Sequence, residues 1–182
     1  MSKNLEIKAR FEDLERAARI AKDAGGTFSG TLTQIDTYFH APRGRLKLRE
    51  NDIALANGER RVQAELIPYI RPSETGTRTS EYHVVPVADP ASCLAGLSAV
   101  LGVRVIVRKK RDLWMVGATR VHLDEVEDLG TFIELETVMT TQGDEEGRRE
   151  HDHLARLLGI SKEAAIAGSY SELLLERFIE SQ

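Results

Sequence analysis

Arg120-Val-His-Leu-Asp124-Glu-Val-Glu-Asp-Leu-Gly130-Thr-Phe-Ile-Glu134-Leu-Glu136 decides the fold. It reads as two strands joined by a tight turn at Glu127 to Thr131. Side chains alternate faces along a strand, so residues two apart share a face. Arg120, His122 and Asp124 therefore stand together on the first strand, with Val121 and Leu123 opposite. Glu134 and Glu136 stand together on the second, with Ile133 and Leu135 opposite. A hairpin with one polar and one greasy face is ordinary half-solvated sheet. What distinguishes this chain is that three other stretches repeat the pattern with cations.

Before the hairpin, Asn4 to Phe11 alternates as a strand, and Asn4, Glu6, Lys8 and Arg10 share one face. Glu12 to Ala24 has helical spacing and is stopped by Gly25-Gly26. Thr27 to His40 favours strand through its threonines, Ile35 and Tyr38-Phe39, and Ala41 to Gly44 turns the chain. Arg45-Leu-Lys-Leu-Arg49 alternates strictly. Asn51 to Gly58 reads as a connection and Glu59 to Arg71 as a strand of ambiguous phase, in which Arg71 shares parity with Gln63 and Glu65. Ser73 to Arg78 is a polar loop and Thr79 to Pro86 a short strand. Asp89-Pro90 opens a helix to about Leu101, and Val103 to Val116 is a long strand carrying Lys109 and Arg111. After the hairpin, Gln142 to Leu158 is a charged, mostly helical stretch and Ser169 to Ile179 an amphipathic helix.

The expected class is α+β, with an eight-stranded antiparallel β-barrel flanked by helices, closed because no edge strand is obvious. The 182 residues suit one domain over 1–182. A hydrophobic share of 41% with 30% charged residues fits a folded globular chain. No apolar run approaches a membrane span, and the N-terminus lacks the apolar core of a signal peptide. The lone Cys93 points to the cytoplasm and to a small apolar filler on a helix. A formal charge of −4 argues against a nucleic-acid partner. Apolar outer strands leave a homodimer open.

If the leucine-bearing faces lie outward beneath helices, the ionic faces point inward. Seven cations (Lys8, Arg45, Lys47, Arg49, Lys109, Arg111, Arg120) would then meet four carboxylates (Glu6, Asp124, Glu134, Glu136), leaving about three positive charges over. Buried ions without partners are costly. A polyanion would supply the missing charge, and a divalent metal such as Mg²⁺ or Mn²⁺ suits carboxylates that share phosphate oxygens with it. The pattern thus describes a tunnel for a metal-bound triphosphate. The plain alternative for each strand alone is a solvated face.

Several stretches together resemble the CYTH superfamily, the triphosphate tunnel metalloenzymes. Leu5-Glu6-Ile7-Lys8 resembles the end of its Glu-x-Glu-x-Lys signature, with Asn4 where the first glutamate stands. Gln34-x-Asp36-Thr-Tyr-Phe39, Arg45 to Glu50, Val107-x-Lys109-x-Arg111, Arg120 to Gly130, Glu134-x-Glu136 and Ser169-Tyr170 follow in order. The resemblance implies metal ligation by Glu6, Asp124, Glu134 and Glu136, and phosphate binding by Lys8, Arg45, Lys47, Arg49, Lys109, Arg111 and Arg120. Glu6, Lys8 and Glu134 become the catalytic candidates. Three activities stay open: a metal-dependent triphosphatase, a class IV adenylate cyclase, and a non-catalytic polyphosphate or nucleotide module, which Asn4 motivates. Asp36 and Tyr38 read as structural or as lining the tunnel mouth. His122 reads as a hydrogen-bonded lumen residue or a general base, Tyr170 as a tunnel cover or a core tyrosine, and His151-Asp-His153 as part of a solvated helix. No Gly-x-x-x-x-Gly-Lys-Ser/Thr loop is present, so phosphate is not held by a P-loop.

Overall fold

The computed structural model describes residues 3–70, 81–139, 144–161, 164–166 and 168–180. Arg71, the Ser73 to Arg78 loop and the start of the Gln142 stretch lie outside these residues, as does the side chain of Asn4. The alternating runs become the long strands β1 (Lys3–Arg10), β2 (Thr27–Phe39), β3 (Arg45–Leu55), β4 (Arg60–Ile70), β7 (Val103–Val116), β8 (Thr119–Val126) and β9 (Gly130–Met139). Among the described residues there are also two short strands, β5 (Glu81–Tyr82) and β6 (Val85–Pro86), and four helices: α1 (Leu14–Asp23), α2 (Pro90–Leu101), α3 (Asp144–Leu158) and α4 (Tyr170–Glu180).

The expected α+β class and eight-stranded antiparallel sheet are present, as one path in the order β1-β9-β8-β7-β2-β3-β4-β5 with β6 paired to β4. The path has two ends, and among the described residues no ladder joins them, so the sheet curls without being closed by hydrogen bonds. The curl follows from two contacts. Lys8 on β1 donates to the Gly168 carbonyl at 3.3 Å, and Arg45 on β3 donates to the Ser169 hydroxyl at 3.4 Å. A flat sheet would hold those strands roughly 24 Å apart, at about 4.8 Å per strand, yet they bond adjacent residues.

Two boundaries differ from the sequence reading. β3 continues to Leu55 because Asn51, Asp52 and Ile53 keep pairing with Gln63, Val62 and Arg61. Of the expected Thr79 to Pro86 strand, Thr79 and Ser80 lie outside the described residues, and the rest forms two fragments, β5 and β6. The chain stays beside β4 through His83 and Val87 amides, while Pro86 has no N–H to donate.

Local signals explain the helix ends. Asp13 and Asp89 cap α1 and α2 by accepting from the amides of Arg16 and Ser92 at 2.8 and 3.1 Å. Gly26 ends α1 because a Cβ there would lie 2.5 Å from the Ala21 carbonyl oxygen. In the β8–β9 turn Asp128 takes a left-handed φ of 64°, a conformation aspartate tolerates better than most residues.

The convex face of β1, β9, β8 and β7 carries the main core. Val121, Leu123, Ile133 and Leu135 pack there against Ala17 and Ala21 of α1 and Leu154 and Leu158 of α3. α3 is also tied to the sheet by polar contacts. Glu150 accepts from the Ala118 amide at 3.1 Å and the Thr119 hydroxyl at 2.5 Å, and Thr119 meets Thr137, which meets His151 Nδ1 at 2.9 Å. α2 lies over β2 and β3 but buries none of its side chains. Leu135 is fully buried, so Leu135→Ala is expected to lower unfolding free energy by about 2–5 kcal/mol in urea denaturation, the usual cost of such a cavity. A second cluster fills one end of the concave face, with Tyr38, Val105, Val107 and Phe132 packed around Tyr170 and Leu174 of α4.

Candidate functional site

Strand register assembles the ionic rows on the concave face. Glu6 lies opposite Glu136 and Lys8 opposite Glu134. Glu136 lies opposite Arg120 and Glu134 opposite His122. Arg111 lies opposite Asp124 and Asp36 opposite Arg49. The inward-facing expectation holds for these rows: Asp124 is fully buried, and Asp36, Lys47 and Lys109 are below one-tenth exposed.

Two clamps of the same design lie side by side on the concave face. In the first, Asp36 on β2 receives Arg49 through two hydrogen bonds of 2.7 Å and Lys47 at 3.0 Å. In the second, Asp124 on β8 receives Arg111 through two hydrogen bonds of 2.6 Å, with Lys109 at 3.8 Å. Each clamp is thus a Lys-x-Arg strand held by an aspartate on its neighbour. Such paired, charge-assisted bonds fix both distance and orientation of a guanidinium. Arg111 also reaches Glu134 at 2.8 Å, and Lys8 lies 3.9 Å from the same carboxylate. Arg120 donates to Glu136 at 3.2 Å.

Burial opposes ionisation of Asp36 and Asp124, but the bonds and charges of their clamps outweigh it and hold both carboxyls below the usual range. Burial raises Glu134 as well, yet His122, Lys8 and Arg111 bring it well below that range. His122 is lowered by burial and by Arg111, against the pull of Glu134 and Asp124. Its Nδ1 has no hydrogen-bond partner among the described residues, and at 3.8 Å from Glu134 the contact is electrostatic only. The hydrogen-bonded lumen histidine expected from the sequence is in the lumen, but at this nitrogen it lacks the bond.

Burial and the neighbouring Arg111 push the Lys109 ammonium down to about 7, against the pull of Asp124. The unfolded chain, with an ordinary lysine near 10.5, then binds more protons than the folded one between pH 7 and 10.5. Stability contributed by this group must rise with pH through that window. In chelator-treated protein, the unfolding free energy of the wild type relative to Lys109→Met is expected to increase between pH 7 and 9.5; a difference that stays flat would remove the shift.

Sequence reasoning placed Lys8, Lys47, Arg49, Lys109, Arg111, Asp124, Glu134 and Glu136 on this face, and the structure brings them together. Glu6 is at its exposed end. Arg120 is at the same end and 44% exposed. Arg45 is bonded to Ser169 and Glu172 at the start of α4. Two carboxylates were missed. Asp36 was read as structural or as lining the mouth, and it sits between two cations; its shared parity with Gln34 and Tyr38 was the available signal. Glu172 pairs with Arg45 from a helix whose position relative to the sheet no local pattern gives. With both counted, seven cations face six carboxylates, so the expected surplus of three narrows to one. His151 bonds Thr137 on the convex side, away from this set.

Carboxylate oxygens suit a hard divalent cation, and Glu6 at the exposed end with the partly exposed Glu134 and Glu136 has the chemistry of such a donor set. Asp124 differs, since its oxygens are occupied by Arg111 and the Tyr170 hydroxyl. Among the described residues no three acidic, histidine or cysteine side chains converge as a ready metal cage. Each of Asp124, Glu134 and Glu136 is held by the protein's own cations.

A Methanocaldococcus jannaschii protein provisionally named an adenylate cyclase is 27% identical over 177 residues, covering 93% of this chain and 97% of its own. The solved structure of a Pyrococcus horikoshii protein superposes with a TM-score of 0.73 at 25% identity, covering 95% of this chain and 99% of that one. A Vibrio parahaemolyticus structure, also provisionally named an adenylate cyclase, superposes with a TM-score of 0.66 at 18% identity over 94% of this chain and 97% of its own, and shares the fold. The CYTH domain model matches residues 2–170, and the chain belongs to the CYTH domain family.

Proposed function

We propose that this protein is a metal-dependent phosphohydrolase acting on a small-molecule triphosphate gripped on the concave face of its curled sheet. The family is one of metal-dependent tunnel enzymes that bind triphosphates such as ATP. The observation that supports the reading is the pair of neighbouring Lys-x-Arg clamps on β7–β8 and β2–β3, with Lys8 and Glu134 on the same face of β1 and β9. Lys47, Arg49, Lys109 and Arg111 would bind non-bridging phosphoryl oxygens, the guanidinium groups through the edges turned away from Asp36 and Asp124 and the ammonium groups as point charges. Their positions are fixed before substrate arrives, so they favour charge that builds on the leaving phosphate without reorganising. Glu6, Glu134 and Glu136 would hold Mg²⁺ or Mn²⁺, which when bound shares the phosphate oxygens and offsets their charge. Burial among Val107, Phe132 and Tyr170 keeps water from one end of the face.

The provisional name of the Methanocaldococcus relative favours a second reading, a cyclase in which the ATP 3′-hydroxyl attacks the α-phosphorus and pyrophosphate leaves. Both readings need the same grip. Incubation with Mg²⁺ or Mn²⁺ and, separately, tripolyphosphate, ATP and thiamine triphosphate separates them by product. Release of orthophosphate is expected. Cyclic AMP would overturn the hydrolase in favour of the cyclase, and tight binding with no product would leave a binding module. A cytoplasmic location, a homodimer and a single functional unit over 1–182 go with this reading.

A further inference from the structure

The start of α4 makes more contacts than a helix start requires. Ser169 and Glu172 form a capping box: the Glu172 carboxylate accepts from the Ser169 amide at 2.7 Å and its hydroxyl at 2.9 Å. That motif needs no other residue. Here the same short segment is also bonded to three strands. Glu172 pairs with Arg45 of β3. The Tyr170 hydroxyl donates to Asp124 of β8 at 2.7 Å. Gly168, at a φ of 115°, offers its carbonyl to Lys8 of β1. The Tyr170 ring lies beneath two ammonium groups, 4.3 Å from Lys8 and 5.2 Å from Lys109.

Lys8, Arg45 and Lys109 are three of the seven cations assigned to phosphate. We propose that the Gly168–Glu172 segment is a built-in competitor for the substrate, occupying part of the phosphate grip when it is empty and released from the sheet when a polyphosphate anion binds. This rests on the triphosphate reading of the site. The exchange favours the anion for a physical reason. A phosphate oxygen bears more negative charge than the neutral Gly168 carbonyl or Ser169 hydroxyl it replaces, so its Coulomb attraction to the Lys8 and Arg45 cations is stronger. Glu172 is the one charged rival, and it keeps its capping bonds to Ser169 after Arg45 has left. The helix can therefore detach without unravelling at its first turn. Aromatic burial of Tyr170 against Phe132, with ring centroids 5.0 Å apart, sets the opposing cost.

Glu172→Gln separates the cap from the competition, because glutamine still accepts from the Ser169 amide in a capping box but carries no charge for Arg45. Tripolyphosphate is titrated into full-length wild type and variant by calorimetry in chelator, so that no turnover occurs, and amide hydrogen exchange is followed in α4. In the wild type, exchange over 173–180 is expected to rise on binding. The variant is expected to bind roughly tenfold tighter, the worth of one charged hydrogen bond, with α4 exchange already raised before ligand. Binding that leaves α4 exchange unchanged or slower in the wild type overturns the competitor, whatever the variant does. Equal affinities of the two proteins overturn it as well. Failure of tripolyphosphate to bind either protein overturns the triphosphate reading itself and this inference with it.

Discussion

Replacing Asp36 by asparagine is expected to lower the unfolding free energy by about 3–5 kcal/mol, the usual cost of leaving a buried charge without its partner. Asp36 is 4% exposed and neutralises two cations from one strand, Lys47 and Arg49. Asparagine fills the same volume but offers them only a neutral oxygen. Arg49 cannot shed its charge, because an arginine stays protonated, whereas the Lys47 ammonium, already lowered by burial, sheds its own more readily; the cost therefore falls mainly on Arg49. A surface pair supplies the comparison. Asp52 receives Arg60 with similar geometry on an exposed stretch of β3, where water and salt replace the partner. Urea midpoints of D36N and D52N therefore differ sharply if the buried clamp carries the load. Equal midpoints would mean that the Asp36 network contributes no more than a surface ion pair.

The second large effect is on turnover. Glu134→Gln is expected to reduce product formation by about 10- to 100-fold, the range seen when a group that orients a metal or reacting centre is lost. The fold should survive, since Arg111 keeps both bonds to Asp124 and Lys8 keeps the Gly168 carbonyl. Phosphate release measured with Mg²⁺ and with Mn²⁺, beside a thermal unfolding curve, distinguishes the two consequences. Undiminished release from a folded variant would remove Glu134 from the chemistry.

The contrast between Asp36 and Glu134 shows what could be read from the chain beforehand. Glu134 stands in Glu-Leu-Glu after a tight turn, and Arg111 in a run ending in Trp114-Met-Val, so alternation alone gave their face. The hairpin, β1, β3 and β7 were legible for that reason. β2 was legible as a strand, but Gln34-Ile-Asp36-Thr-Tyr38 is polar on one face and mixed on the other. Only its position between β3 and β7 reveals that Asp36 sits among cations. Arg45 was correctly phased and still had a different neighbour than its strand implied, because α4 reaches it across 127 residues of chain. The ambiguous phase of the Glu59 to Arg71 strand is settled by register, with Glu65 opposite Arg49. Local periodicity reports faces; it does not report which distant helix covers them.

The fastening of α3 has a mechanical corollary. A Cβ on Gly117 would fall 2.0 Å from the Glu150 carboxylate, so closely is the β7–β8 turn seated on that helix. With α1 beside it, the backing makes β1, β9 and β8 a rigid anvil. β2 has α1 and α2 beside it and β3 has α2, which buries no side chain, so this arm of the sheet is less heavily backed. Asp124 and Glu134 belong to the anvil, while Asp36, Lys47 and Arg49 ride on the arm. The two clamps are therefore carried by parts of one sheet that are unequally backed by helices.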